Sequence, residues 1–446
     1  GAHPDTIMDF LMDYHDVDFQ WGNHDIVWMG AASGSQVCIA TVLSNSIRYN
    51  NLHVIETGYG ISLRSLAVFA NEYYSDCDTS RFVVAVDTGK DKKKVKDFEL
   101  SARMSKAMTI ILFKLEGQAV MRNPEFDMND RLLLDKVDYQ NGTVDLYGKT
   151  YELMDHDFPT IDPANPYALT DEEEDLMNEL AASFKGSEKL QKHIRFLYAK
   201  GGMYKCYNGN LLLHGCVPMD EDGCFRNFVY DGVNYSGRRL FDYCEERARD
   251  AYFAEDGTYS KQAGQDFMWY LWCGPDSPLY GKDKMAFFER TLLPDEKALK
   301  AEHYTPYYSV NNSEDVCGRI LAEFGLDPNR GHIINGHVPV LRADGQSPIK
   351  AGGRLFVIDG GISKAYQIKT GIAGYTLIYD SHSLRLAEHR PYNGMDANIT
   401  PKVSVVEKMD RRVNVADTDY GAELVLRIAE LRSLLAAYRD GTILEK

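Results

Sequence analysis

Three histidines each lie within two residues of a glycine at the end of a short apolar run. Gly22-Asn23-His24-Asp25 follows the alternating segment Val17-Asp18-Phe19-Gln20-Trp21, His214-Gly215 follows Leu211-Leu212-Leu213, and Gly336-His337 follows Ile333-Ile334 and Asn335. Runs of this length and composition read as strands, and polar groups carried at strand ends are how α/β proteins assemble ligand sites. The constraint is therefore an α/β fold that gathers these ends. A sharp glycine turn at Gly22 is expected to present the Asn23 amide and the His24 imidazole to one cleft, with Asp25 placed to orient the imidazole. Each of His214 and His337 alone reads as well as a structural histidine. Together with Asn23 they supply one amide oxygen and two imidazoles, a donor set suited to Mn²⁺, Fe or Zn²⁺.

Helical periodicity frames these motifs. Ile7, Met8, Leu11 and Met12 mark a helix over Pro4–Tyr14. Ile61–Tyr74, Phe98–Met121 and Asp171–Tyr198 carry 3.6-residue apolar spacing, the last opened by Thr170 with Glu173 three residues on. Hairpin turns are expected at Asn141-Gly142 and Asn208-Gly209, and further strands at Gly331–Asn335, Leu355–Ile358 and Tyr375–Tyr379. Residues 1–60 and 203–385 are expected to form a core, 61–202 a mainly helical insertion with a hairpin, and 386–446 a C-terminal extension. Its helix, Gly421–Tyr438, is expected to pack on the body or on a partner chain, which leaves a homo-oligomer open. Gly58-Tyr59-Gly60 lacks a third glycine and reads as a turn, and the lysine-rich stretch Lys90–Lys96 as a solvated loop. Lys350, Arg354 and Lys364 flank the last core strands and are candidates to meet a second phosphate.

Charge narrows the partners. Lys plus Arg is 49 against 66 Asp plus Glu, a net charge of −17, which repels phosphate backbones and anionic lipid, so neither nucleic acid nor a membrane is an expected partner. No run of 18 apolar residues occurs, and the eight cysteines form no C-x-x-C pair. A reducing, cytoplasmic location is expected.

The histidine motifs resemble those of the calcineurin-like metallophosphoesterases, whose pattern runs D-x-H, G-D-x-x-D-R-G, G-N-H-D/E, a lone His, then G-H. Gly22–Asp25, His214-Gly215 and Gly336-His337 match the last three in order. A longer likeness, over nearly the whole chain, is to class III fructose-1,6-bisphosphatase. It is carried by QWGNHDIVWMGAASGS (Gln20–Ser35), FKLEGQ (Phe113–Gln118), RNPEFDMNDRLLLDKVDY (Arg122–Tyr139) and LLLHGCVP (Leu211–Pro218). YLWCGPDSPLYGKDKMA (Tyr270–Ala286), HIINGHVPV (His332–Val340) and IDGGISKAYQIKTGIAGYTLIYDS (Ile358–Ser381) continue it. The resemblance implies two mixed sheets flanked by helices, a binuclear Mn²⁺ site, and hydrolysis of fructose 1,6-bisphosphate to fructose 6-phosphate and phosphate in gluconeogenesis. It implies that Asn23, His214 and His337 hold one metal. His24, held by Asp25, would protonate the leaving oxygen or stabilise the transferring phosphoryl group, while a water bridging two ions attacks phosphorus in line.

The first two elements of the pattern have no counterpart ahead of Gly22. Asp13-Tyr14-His15 is a formal D-x-H, but it sits at a helix end too close to His24, and Asp380-Ser381-His382 lies downstream of everything. Gly1 fits the last residue of the D-R-G element. The chain therefore reads as the later two thirds of a longer enzyme, lacking half of the metal ligands and inactive by itself. A phosphoprotein phosphatase-like enzyme and a non-catalytic scaffold or regulatory fragment are the competing readings.

Overall fold

The computed structural model describes residues 3–14, 16–83, 95–359, 361, 369–390 and 400–444. They divide into two compact units. The first takes the chain up to Tyr204 and then His214–Val310; the second takes Lys205–Leu213 and the chain from Asn311 onward.

The first unit is mainly helical: α1 (Pro4–Met12), α2 (Asn23–Ala32), α3 (Gln36–Arg48), α4 (Arg64–Tyr73), α5 (Val95–Arg122), α6 (Asp171–Gly186), α7 (Glu188–Lys200), α8 (Gly237–Phe253) and α9 (Tyr259–Cys273), followed by the short α10 (Phe287–Leu292) and α11 (Tyr307–Val310). Helix α2 packs against α3, α6, α7, α8 and α9. Ile26, Val27 and Met29 are sealed from solvent, and Gly30, Ala31 and Ala32 let neighbouring helices close in; a helix apolar on nearly every side is a core helix. Helices α2 and α3 share this core with α5, α6 and α7.

Its strands are short. The strand expected at Val17–Trp21 is confined to β1 (Phe19–Gln20), paired in parallel with β5 (Gly201–Gly202), after which Trp21 drops its indole onto the Leu197 carbonyl at 3.0 Å. The hairpin at Asn141-Gly142 is present between β2 (Val137–Asp138) and β3 (Thr143–Leu146), with β4 (Lys149–Glu152) beyond; β8 (Phe228–Tyr230) and β9 (Val233–Tyr235) form a separate ribbon. Thr170 caps α6 reciprocally with Glu173, at 3.2 and 3.0 Å. The run expected over Asp171–Tyr198 breaks where the Ser187 hydroxyl accepts the Leu190 N–H and starts α7. Gly58-Tyr59-Gly60 belongs to no phosphate loop; Val54–Gly58 is a π-helical turn. Most of the lysine-rich stretch lies outside the described residues.

The second unit carries the larger sheets. Strands β6 (Tyr204–Tyr207), β7 (Asn210–Leu213), β10 (His332–Asn335), β11 (Ile349–Lys350) and β12 (Leu355–Val357) order as β11-β12-β10-β7-β6. The pairs β7–β10 and β10–β12 are parallel and β11 is antiparallel at the edge. The β6–β7 turn sits at Asn208 and Gly209, both left-handed (φ 49° and 75°), as a two-residue hairpin with right-handed strand twist demands. Antiparallel β13 (Tyr375–Tyr379), β14 (Ser383–Glu388) and β15 (Lys402–Lys408) form a second sheet. Ile334 and Phe356 from the first sheet and Leu384 from the second make one core, flanked by Leu212, Leu377 and Val406. Helix α12 (Glu314–Glu323) packs on β10, and α13 (Asp419–Arg439) closes the described chain. No helix among the described residues is long and apolar enough to cross a membrane. The architecture is mixed α/β, with the helices concentrated in one unit and the sheets in the other.

Candidate functional site

Gly22-Asn23-His24-Asp25 is the start of a helix, where the sequence suggested a sharp glycine turn. Gly22 is the N-cap of α2 in extended conformation, and Asn23, His24 and Asp25 form its first turn. The apolar run Ile26-Val27-Trp28-Met29 behind them is what carries the helix back to Asn23. Asp25, at the third helical position, accepts the Gly22 N–H on Oδ2 at 2.8 Å. Successive residues on a helix point about 100° apart, so Asp25 is turned away from His24. Asp25 thereby acts as a helix cap.

The His24 ring instead meets the edge of Trp272 on α9, with centroids 4.9 Å apart and planes at 76°. His24 and Asp25 are open to solvent, whereas Asn23 is 5% exposed. Surrounding protein pushes the Asp25 carboxyl above its ordinary value, opposed by the Gly22 N–H.

His214 lies against this turn. A Cβ placed on Gly22 would fall 2.8 Å from His214 Cε1 and 2.9 Å from Nδ1, so the imidazole rests on the glycine backbone. Only glycine leaves that space. Gly215 is held as tightly, since a Cβ there would lie 2.5 Å from the Pro278 carbonyl, and Cys216 N–H donates to that same carbonyl at 2.9 Å. Gly215 and Cys216 are thereby tied to the loop after α9 while His214 faces α2. Asn23, His24 and His214 thus come together in the first unit.

Two buried histidines have both ring nitrogens occupied by protein. His193 meets Tyr59 and Asp9, and His332 meets Asn210 and Glu407. These are structural. His337, in the second unit, follows β10 in left-handed conformation (φ 66°), a strain uncommon for a non-glycine residue and most frequent at functional positions. Lys350 and Arg354 flank a tight turn at Ala351–Gly353, beside the buried Cys317. Burial pushes the Lys350 ammonium down and the Cys317 thiol up to about 11, the latter opposed by Arg354. Lys364 and His15 lie outside the described residues.

Among the described residues no three His, Cys, Asp or Glu side chains form a metal-binding group. The donor set that the structure does assemble, a buried amide and an imidazole on one helix start, is chemically fit for a divalent transition metal, as neutral ligands that need carboxylates or phosphate to complete the shell.

Sequence reasoning passed over the cavity beside Cys216. A space of about 200 Å³ is lined by Cys216, Pro218, Arg226, Asp276, Asp283 and Tyr304. Arg226 reaches Asp276 at 2.5 Å and Asp220 at 3.4 Å. Burial raises the Asp276 carboxyl, while Arg226 opposes it. The signal for this pocket was present in Cys216-Val217-Pro218 following His214-Gly215, but nothing in the spacing linked that segment to Asp276 or Tyr304.

The comparisons with known proteins give the family. The family described as Firmicute fructose-1,6-bisphosphatase matches residues 1–440. The class 3 fructose-1,6-bisphosphatase of Clostridium novyi is 50% identical over 452 residues, an alignment spanning 100% of this chain and 68% of that protein. Those of Listeria innocua and Bacteroides thetaiotaomicron are each 49% identical, over 451 and 452 residues, spanning 100% of this chain and 69% and 68% of theirs. The chain thus spans about two thirds of the length of these relatives. No solved structure matches. By the breadth of the family match and the identity along its whole length, this chain belongs to the Firmicute fructose-1,6-bisphosphatase family.

Proposed function

We propose that the chain serves the hydrolysis of fructose 1,6-bisphosphate to fructose 6-phosphate and phosphate, with its chemistry centred on the first turn of α2. The observation that carries this is the His214 ring seated on Gly22 beside Asn23 and His24. Asn23 and His214 are the metal ligands the first unit supplies, and His337 is the third by resemblance; Mn²⁺ is the ion we expect. A divalent cation there supplies Lewis acidity toward phosphate oxygens. The start of α2 adds backbone N–H groups and the positive end of a helix dipole, which favour a phosphoryl group.

His24 is placed to donate a proton to the leaving sugar oxygen, with its ring held edge-on by Trp272. Asp25 keeps the turn closed through Gly22. The cavity beside Cys216 has the chemistry of a sugar pocket: Asp276 and Asp283 accept hydroxyl protons, Arg226 donates, and Tyr304 offers an aromatic face. The finer fold we infer is the calcineurin-like sandwich, and the setting a cytoplasmic gluconeogenic step. The relatives' names and the helix-start site support these readings together.

The test is phosphate release from fructose 1,6-bisphosphate, with excess Mn²⁺, by the 446-residue chain. Turnover should fall by about 10²- to 10⁴-fold in His24→Ala, and fall also in His214→Ala. Ordinary turnover that survives His24→Ala and His214→Ala would place the chemistry elsewhere.

A further inference from the structure

Helix α13 is nearly bare. Val425, Leu426, Ile428, Leu431, Leu434, Leu435 and Tyr438 are 43–67% exposed, and Gly421 is the one residue of the helix that is buried. A free-standing helix of 21 residues is marginal in water, since helices in proteins persist by packing an apolar face. Something must cover this one.

The spacing specifies what. Leu424, Ile428, Leu431, Leu435 and Tyr438 recur at intervals of four, three, four and three residues, the heptad seam of a helix that pairs with another helix. Val425 and Leu434 widen the stripe at its flanks. Charge selects the partner: the helix carries Arg427, Arg432 and Arg439 against Asp419, Glu423 and Glu430, so it is neutral within a chain of net charge −17. Two copies can approach along α13 without the repulsion that most of their surface imposes.

We propose that α13 pairs with α13 of a second copy of this chain in an antiparallel arrangement. The seam then places Ile428 against the partner's Leu431 and Leu424 against the partner's Leu435, with the symmetric pairs completing four layers. Arg427 lies along the partner's Leu434 and Arg432 along the partner's Val425, where their aliphatic stems cover apolar surface. A parallel pair would instead set Arg427 against the partner's Arg432, a like-charge contact. The six exposed apolar side chains of the stripe leave about 500–600 Å² per helix to bury, so about 1,000–1,200 Å² in the pair, which reaches the range of specific interfaces.

Light scattering coupled to size exclusion at about 10 µM chain should give twice the 50.5 kDa chain mass. Ile428→Glu and Leu431→Glu should each return it to a single chain mass, with the near-ultraviolet dichroism of the folded units unchanged. Leu426→Glu, on the far side of the helix from the seam, should leave the dimer intact. Oxidation of mixed Ile428→Cys and Leu431→Cys chains should form a cross-link above the wild-type background, and Ile428→Cys alone should not. A monomeric wild type, a dimer indifferent to both seam substitutions, equal disruption by Leu426→Glu, or cross-linking by Ile428→Cys alone would overturn the pairing.

Discussion

Helices α2 and α13 use the same apolar alphabet to opposite ends. In α2, Ile26, Val27 and Met29 are 0–1% exposed; in α13, Leu426 and Leu431 are 67% and 59% exposed. One is the centre of a helical unit and holds Asn23 and His24 rigidly at its start. The other ends the second unit with its stripe facing water. The difference shows that apolar content alone does not say whether a helix is core or interface; its neighbours in the chain decide.

The sharpest contrast comes from a charge placed in each helix. Ile26→Asp buries an unpaired carboxylate among α3, α8 and α9 and should cost about 4–5 kcal/mol or more, unfolding the first unit in a urea titration. Leu426→Asp should stay within about 0.5 kcal/mol. Similar midpoint shifts for the two would erase the distinction between the helices.

Ion pairs divide in the same way. Lys114 and Glu173 meet at 2.6 Å with neither side chain exposed, and Lys114 also donates to the Thr160 carbonyl. Lys114→Ala strands Glu173 in the core and should cost about 3–5 kcal/mol. Arg411 and Asp417 in the second unit meet at 2.8 Å, but the Arg411 side chain is 69% exposed; Arg411→Ala should leave the urea midpoint almost unmoved. Equal losses would mean the first unit is less sealed than its packing indicates.

A smaller effect concerns pH. Glu116 lies in a cavity with Phe113, Trp269 and Phe288, and burial pushes its carboxyl up to about 7, against the nearby Arg131. A carboxyl raised on folding binds its proton more tightly in the native state. The stability this contributes is whole below about 4.5 and is lost as pH rises through about 7, by at most about 3 kcal/mol. Glu116→Gln should flatten that slope in urea titrations between pH 5 and pH 8. An unchanged slope would remove Glu116 as its source.

Much of this was legible in the residues. The hairpins at Asn141-Gly142 and Asn208-Gly209, the Thr170–Glu173 cap and the strands around Ile333, Leu355 and Tyr375 are local chemistry, and each stands where its turn or period placed it. The His214 motif likewise marks the end of β7, whereas the Gly22 motif reads as a turn and is a helix start. What was not legible depends on packing at a distance. Gly22 reads as a turn residue, yet its reason is the His214 ring almost two hundred positions away. Asp25 reads as a partner for His24, yet helix geometry turns it onto Gly22. The division into units follows the burial of α2 by helices of the expected insertion, and no periodicity within α2 reveals which segments those are.

The seat of His214 on Gly22 is the central claim, and Mn²⁺ binding by the purified chain tests it directly. Calorimetric or spin-resonance titration should find one ion per chain, weakly held. Affinity should fall about tenfold or more in His214→Ala, and also in Gly22→Ala, whose methyl group displaces the imidazole. His24→Ala should bind the ion as wild type does. Undiminished binding in His214→Ala and Gly22→Ala, or loss in His24→Ala alone, would contradict the site described here.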